Sequence, residues 1–210
     1  NPWDQRLCLV PNGDLFDVIK EGRASVVTDH IDTFTEKGIL LKSGEELEAD
    51  LIVTATGLNL KVLGGMEIDV DGRQVDLSDT MSYKGMMYSD VPNLASAFGY
   101  TNASWTLKCD LTCEYVCRLI NHMDETGTKQ ATPRLNDPDV EEEPWLDFTS
   151  GYVQRSLDKF PKLGSKNFWK LYQNYPLDIM AMKFVRVEDG AMEFFTPLSG
   201  RSGAEREPVA

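Results

Sequence analysis

No apolar run in this 210-residue chain approaches the ~18 residues that a membrane-spanning helix needs, which excludes a helical span. Basic residues are scarce. Lys and Arg number 21 against 34 Asp and Glu, a net charge of −13. Such a chain repels phosphate backbones and anionic surfaces, so nucleic acid is not expected as a partner. Four cysteines are too few to staple a chain of this length, and a reducing cytoplasm is the expected compartment. The two histidines, His30 and His122, are isolated and read as structural or solvated. The acidic run at 137–143 has no Asp-x-Asp-x-Asp-Gly loop with it and reads as a solvated loop rather than a calcium site. No G-x-G-x-x-G occurs anywhere, so a phosphate-cradling loop of that kind is absent from these 210 residues.

What is present is a folding composition, 41% hydrophobic and 26% charged, in a length that suits one or two domains. Asp14 to Glu21 has the pattern of a short helix ending at Gly22. Short β-type runs follow at 26–27, 31–34, 39–41 and 51–53, separated by turn-like segments, and predict a small meander whose last strand is 51–54. Met66, Ile68 and Val70 alternate with acids before Asp71-Gly72, which predicts a hairpin returning through Val75 and Leu77. Residues 83–88 and 94–98 are two further candidate strands. The clearest helix runs from about Ser104 to Asp124, with Leu107, Leu111, Val116, Leu119, Ile120 and Met123 spaced for one face and Gly127 beyond its end. Residues 125–147 read as a polar loop or linker, 150–157 as one more helix, and 183–187 with 192–195 as a closing β pair. Residues 199–210 have the composition of a disordered tail. Cys109, Cys113 and Cys117 recur at four-residue spacing; zinc sites use C-x2-C pairs, so these are expected to pack as small core residues. The Lys and aromatic mix at 159–175 reads as a solvated, partly packed tail, with an NADP 2′-phosphate or a membrane surface as alternative contacts.

Two stretches suggest chemistry. Ala49-Asp50-Leu51-Ile52-Val53-Thr54-Ala55-Thr56-Gly57 is a buried-strand sequence ending in small residues. Small side chains at a strand's carboxyl end let the backbone approach a bulky ligand, although a central strand with a tight exit turn has the same pattern. Gly99-Tyr100-Thr101-Asn102-Ala103-Ser104-Trp105-Thr106-Leu107-Lys108 leads into the long helix. Free N–H groups and the positive end of the helix dipole suit an electron-rich carbonyl or a phosphate there, and an ordinary cap with an anchoring Trp reads the same way.

Together these stretches resemble the carboxyl-terminal part of a class B flavoprotein monooxygenase, the group of the flavin-containing and Baeyer–Villiger monooxygenases, and most nearly its ethionamide-activating subgroup. The likeness also includes Asn1-Pro2-Trp3-Asp4-Gln5-Arg6, Tyr83-Lys84-Gly85-Met86-Met87, Gly151-Tyr152-Val153 and Gln173-Asn174-Tyr175. It implies an α/β fold: a C-terminal fragment of a flavoprotein with two dinucleotide-binding domains, built from a short β-meander, hairpins, one long helix and an irregular tail. It implies FAD and NADPH as cofactors, and reduced FAD that captures O2 as a C4a-peroxide and oxygenates a small-molecule ketone or a soft S or N atom. Residues 1–57 would end the NADPH domain, 58–126 would return to the FAD domain, 127–198 would form a C-terminal extension and 199–210 the tail. On the same resemblance Ala55, Thr56 and Gly57 join the two domains. Asn102, Ser104, Trp105 and Thr106 meet the flavin's pyrimidine edge, and Arg6 is the candidate catalytic residue beside the flavin.

The missing glycine loops are a departure from that family, and by themselves these residues are expected to be inactive and to associate through uncovered apolar faces. Two other readings stand beside this one. A non-oxygenating flavin reductase also uses an A-T-G strand end, but commonly carries Gly-Asp where this chain has Gly99-Tyr100. A non-catalytic binding or assembly domain is the alternative from a different class.

Overall fold

A left-handed Gly13 opens the first helix, α1 (Asp14–Lys20), in a computed structural model that describes residues 10–196. The chain divides into two compact units, Asn1–Leu58 and Asn59–Ala210. In the first, α1 is followed by an antiparallel meander, β1 (Ile31–Phe34), β2 (Gly38–Leu41) and β3 (Glu46–Glu48), in the order β1-β2-β3. The β1–β2 turn is tied by Thr35, whose hydroxyl accepts from the Gly38 N–H at 3.0 Å and donates to Glu46 at 2.6 Å. The meander's third strand is thus Glu46–Glu48, not 51–54 as the apolar run predicts. Residues 51–54 carry no regular structure, and Leu51 and Val53 are each 80% exposed. A strand apolar on both faces holds only with ladder partners and cover, and among the described residues nothing supplies either. Leu15, Phe16, Val26, Ile31 and Phe34 are likewise exposed.

The second unit opens with a hairpin, β4 (Ile68–Val70) and β5 (Arg73–Val75), paired as expected. Asp71 and Gly72 both have positive φ, 54° and 82°, the type I′ geometry that matches strand twist. Residues 80–89 are buried without a break. They are not one strand but a tight hairpin, β6 (Ser82–Tyr83) and β7 (Met87–Tyr88), turned by Lys84 and Gly85 with φ of 51° and 71°. Residues 94–98 form no strand, only a bridge from Ala95 to Met87. The long helix α2 (Trp105–Thr126) stands where its periodicity places it and stops at a left-handed Gly127.

The expected linker at 125–147 contains two strands instead. β8 (Gln130–Pro133) pairs with β11 (Met192–Phe195), and β9 (Glu142–Glu143) with β10 (Leu163–Gly164). Between them lie α3 (Gly151–Gln154), inside the span predicted for a helix, and α4 (Tyr175–Met182), which the sequence reading missed. Residues 183–187 form no strand, so β11 takes β8 as its partner rather than its neighbour in sequence.

α2 buries Lys108, Leu111, Thr112, Tyr115 and Leu119 against Tyr83, Met86, Met87, Trp169 and Met182. Full burial of an apolar side chain of this size is worth ~1.5–3 kcal/mol, so this layer holds the unit together. The cysteine stripe is not part of it. Cys113 and Cys117 are exposed and Cys109 is intermediate, because the apolar stripe of α2 lies on its other side; no cluster of metal-ligating residues exists among the described residues.

The core also holds charge. Lys84 Nζ lies 3.2 Å from Asp189 Oδ2, which also accepts from the Tyr83 hydroxyl at 2.6 Å. The Tyr83 and Tyr115 hydroxyls share a 2.7 Å hydrogen bond. Lys84 Nζ sits over the rings of Tyr83, Tyr115 and Phe168. Arg118 donates to the Val185 and Met182 carbonyls. Burial is the first cause that raises the phenols of Tyr83, Tyr88, Tyr100 and Tyr115 above their ordinary value of 10.0. These groups keep their protons in the folded state where the unfolded chain loses them. The stability they contribute is therefore fully present below pH 10 and falls above it. Lys84 and Lys108 act in the opposite sense, because burial lowers both. An alkaline titration followed by tyrosinate absorbance should leave these four phenols silent until the chain unfolds, then release them together. Smooth titration of all seven tyrosines near pH 10 with native circular dichroism would contradict this packing.

Candidate functional site

The start of α2 is the best-defined candidate site. Gly99 makes it possible: a Cβ there would lie 2.4 Å from the Trp105 ring and 2.6 Å from its Cα, so only glycine lets the incoming chain pass the first helical turn. Trp105 is 49% exposed and rests on Phe98 at 5.0 Å between ring centroids; Phe98 in turn meets Trp145 edge-on at 5.8 Å. These tilted and edge-on ring contacts anchor Trp105, the first residue of the helix. Asn102, Ser104 and Thr106 are exposed.

The N-cap, Ser104, makes no side-chain cap bond; its hydroxyl pairs with that of Thr106 at 2.8 Å. The first turn carries no acidic residue. The first backbone N–H groups of a helix have no partner within it, and the dipole puts partial positive charge there. Together these features leave an exposed, acid-free site for an electron-rich group on a rigid base.

A second segment holds this turn in place. The Gln173 side-chain oxygen accepts from the Thr101 N–H at 3.1 Å and its hydroxyl at 3.3 Å, and Asn102 Nδ2 donates to the Gln173 carbonyl at 3.1 Å. One turn into α2, Lys108 Nζ pairs with Asp178 Oδ1 at 3.1 Å, with side chains 2% and 3% exposed. The sequence reading singled out neither Asp178 nor the role of Gln173. The available signal was Lys108 itself, one charged residue within the stripe of Leu111, Thr112 and Tyr115.

Ala55, Thr56 and Gly57 lie in the first unit, exposed and without strand structure. Gly57 has φ of 101°, a conformation that side-chain-bearing residues rarely adopt. Arg6 lies outside the described residues. The small-residue segment and the helix start fall in different units, and the site is built up in detail only at the latter.

No protein-family model matches the chain. Individual relatives do. Over nearly its whole length the chain is homologous to a segment of FAD-containing monooxygenases. It is 56% identical over 194 residues to the "FAD-containing monooxygenase EthA" of Mycobacterium tuberculosis and 52% identical over 194 residues to that of Mycolicibacterium smegmatis. It is 48% identical over 195 residues to the "Probable FAD-binding monooxygenase AlmA" of Acinetobacter baylyi. Each match takes in 92% of this chain, while the chain spans about two fifths of the length of these curated relatives (39–40%). The resemblance drawn from the A-T-G and G-Y-T-N-A-S-W-T segments is therefore borne out.

Proposed function

We propose that this chain is the carboxyl-terminal part of an FAD- and NADPH-dependent monooxygenase that inserts one oxygen atom of O2 into a ketone or a soft S or N atom of a small molecule. The carrying observation is the start of α2, exposed, free of acid and braced by Gly99 and Trp105, in a chain homologous to FAD-containing monooxygenases. These residues fit a flavin: Asn102, Ser104 and Thr106 supply polar contacts, Trp105 supplies a flat apolar wall, and the helix dipole favours the negative charge that reduction places on the pyrimidine edge. When bound, reduced FAD supplies the activation of O2. The chain's own part is to hold the cofactor's edge, favour its reduced charge and keep its orientation fixed. Residues 1–57 close the NADPH domain, 58–126 return to the FAD domain and 127–198 extend it. The described residues hold no helix long and apolar enough to cross a membrane.

Purified full-length protein should be yellow, should oxidise NADPH and should convert a sulfide to its sulfoxide. Colourless full-length protein would favour a binding or assembly module.

The 210 residues alone should quench FAD fluorescence weakly or not at all, since they contain no G-x-G-x-x-G loop. They should also self-associate through exposed residues such as Phe16, Phe34, Leu51 and Val53. Tight stoichiometric quenching, or a clean monomer by light scattering at high concentration, would count against these two expectations respectively.

Gly57→Val in the full-length protein should reduce bound FAD or its reduction by NADPH, because the backbone at φ 101° would be strained just where close approach is required. Unchanged flavin content and unchanged NADPH oxidation would remove 55–57 from the cofactor's surroundings.

A further inference from the structure

Two anchors fasten the start of α2 to one later segment of the second unit. At the turn, Gln173 closes three hydrogen bonds on Thr101 and Asn102. Inside the helix, Lys108 reaches Asp178 at 3.1 Å and the Met182 sulfur at 3.1 Å, both on α4. The segment that does this is itself held tightly. Gln173 has φ of 50°, a strained value for a residue with a side chain. Directly after it, Asn174 caps α4, accepting from the Leu177 N–H at 3.2 Å. The ring of Tyr100 meets that of Tyr175 edge-on at 6.4 Å. The backbone strain and the burial of an ion pair both oppose folding unless the contacts they make are kept, which singles out these contacts from ordinary packing.

We propose that Gln173 and Asp178 are positioning residues for the flavin: the segment from Gln173 to Met182 clamps the loop and first turns that present Asn102, Ser104 and Trp105 to the cofactor. The proposal rests on the reading that the start of α2 faces FAD. Asp178 is buried away from the exposed side of that turn, and Gln173 meets the turn only at Thr101 and at the side-chain amide of Asn102. Gln173 fixes the loop's direction through Thr101, and Asp178 fixes the helix's rotation through Lys108. Displacement of the turn by a fraction of an ångström redirects its free N–H groups, so cofactor affinity responds to residues that do not contact the cofactor.

The test uses full-length protein and Gln173→Ala, a substitution at a half-buried site that removes the side-chain oxygen bound by Thr101. Hydrogen–deuterium exchange of the peptide covering residues 99–109 should become about tenfold faster, with exchange elsewhere in the second unit unaltered. FAD should dissociate about tenfold more readily, with the denaturant midpoint of the apoprotein near wild type. Gln173→Glu keeps an acceptor oxygen at the same place. It should restore slow exchange and FAD retention while lowering the flavin's reduction potential, since it adds negative charge near the reduced cofactor, a shift that a purely structural residue would not cause. Unaltered exchange at 99–109 in Gln173→Ala would overturn the clamp. Faster exchange with undiminished FAD retention would refute the positioning role through the flavin-facing reading and leave only a structural tie. A colourless wild-type protein would refute the proposed function itself, with the exchange result still deciding the clamp.

Discussion

Arg6→Ala in the full-length protein is expected to retain FAD and to accept hydride from NADPH, yet to form about 10²- to 10³-fold less oxygenated product. Arg6 enters through the family resemblance, in the segment Asn1-Pro2-Trp3-Asp4-Gln5-Arg6. The chemistry gives the reason for an arginine. Oxygen activation by a reduced flavin builds negative charge that must persist until substrate arrives. A guanidinium is permanently charged and offers several donors in a fixed plane, so it can hold that charge and orient the nicotinamide amide as well. Arg6→Lys supplies a point charge on a flexible stem and should rescue little. The consumed NADPH should appear as hydrogen peroxide. Normal product from Arg6→Ala would return Arg6 to the role of a surface residue.

The second large effect concerns stability. Asp189→Ala should cost ~3–5 kcal/mol, the loss seen when one partner of a buried ion pair is removed. Asp189 faces Lys84 at 3.2 Å and the Tyr83 hydroxyl at 2.6 Å, and the lysine side chain is 3% exposed. Without the carboxylate, an ammonium remains inside a cage of Tyr83, Tyr115 and Phe168, near Lys108 and Arg118. The double variant Lys84→Met with Asp189→Leu removes both charges and should be much less damaged than Asp189→Ala alone. Urea unfolding gives both numbers. Equal destabilisation of single and double variants would mean that packing and the bonds Asp189 accepts from the Ala191 and Met192 N–H groups, not the charge pair, hold this part of the core.

Much of the second unit was legible where the signal was local. The 22-residue α2 repeats its apolar stripe often enough to be unmistakable, and Asp71-Gly72 dictates its own turn. The β8–β11 pair was illegible because Gln130–Pro133 is polar and its partner lies about sixty residues away, so only the tertiary fold decides it. α4 escaped for the opposite reason: Leu177, Ile179, Met180 and Met182 surround the helix, leaving no single face, and Pro176 at its start resembles a breaker. The run at 51–54 misled because its apolar residues require partners that the described residues do not offer. At the site, Asn102 to Thr106 were readable as a helix start. The bracing by Gln173 and Asp178 was not, since nothing in a polar side chain's sequence position announces which distant backbone it will bind.

The proposed transfer of one atom of dioxygen to the substrate is decided with full-length protein, NADPH and a sulfide or ketone under isotopically labelled O2, by mass spectrometry of the product. One labelled oxygen atom is expected per product molecule, with the other in water. NADPH consumption with no label in the product would contradict it and point to a flavin reductase instead.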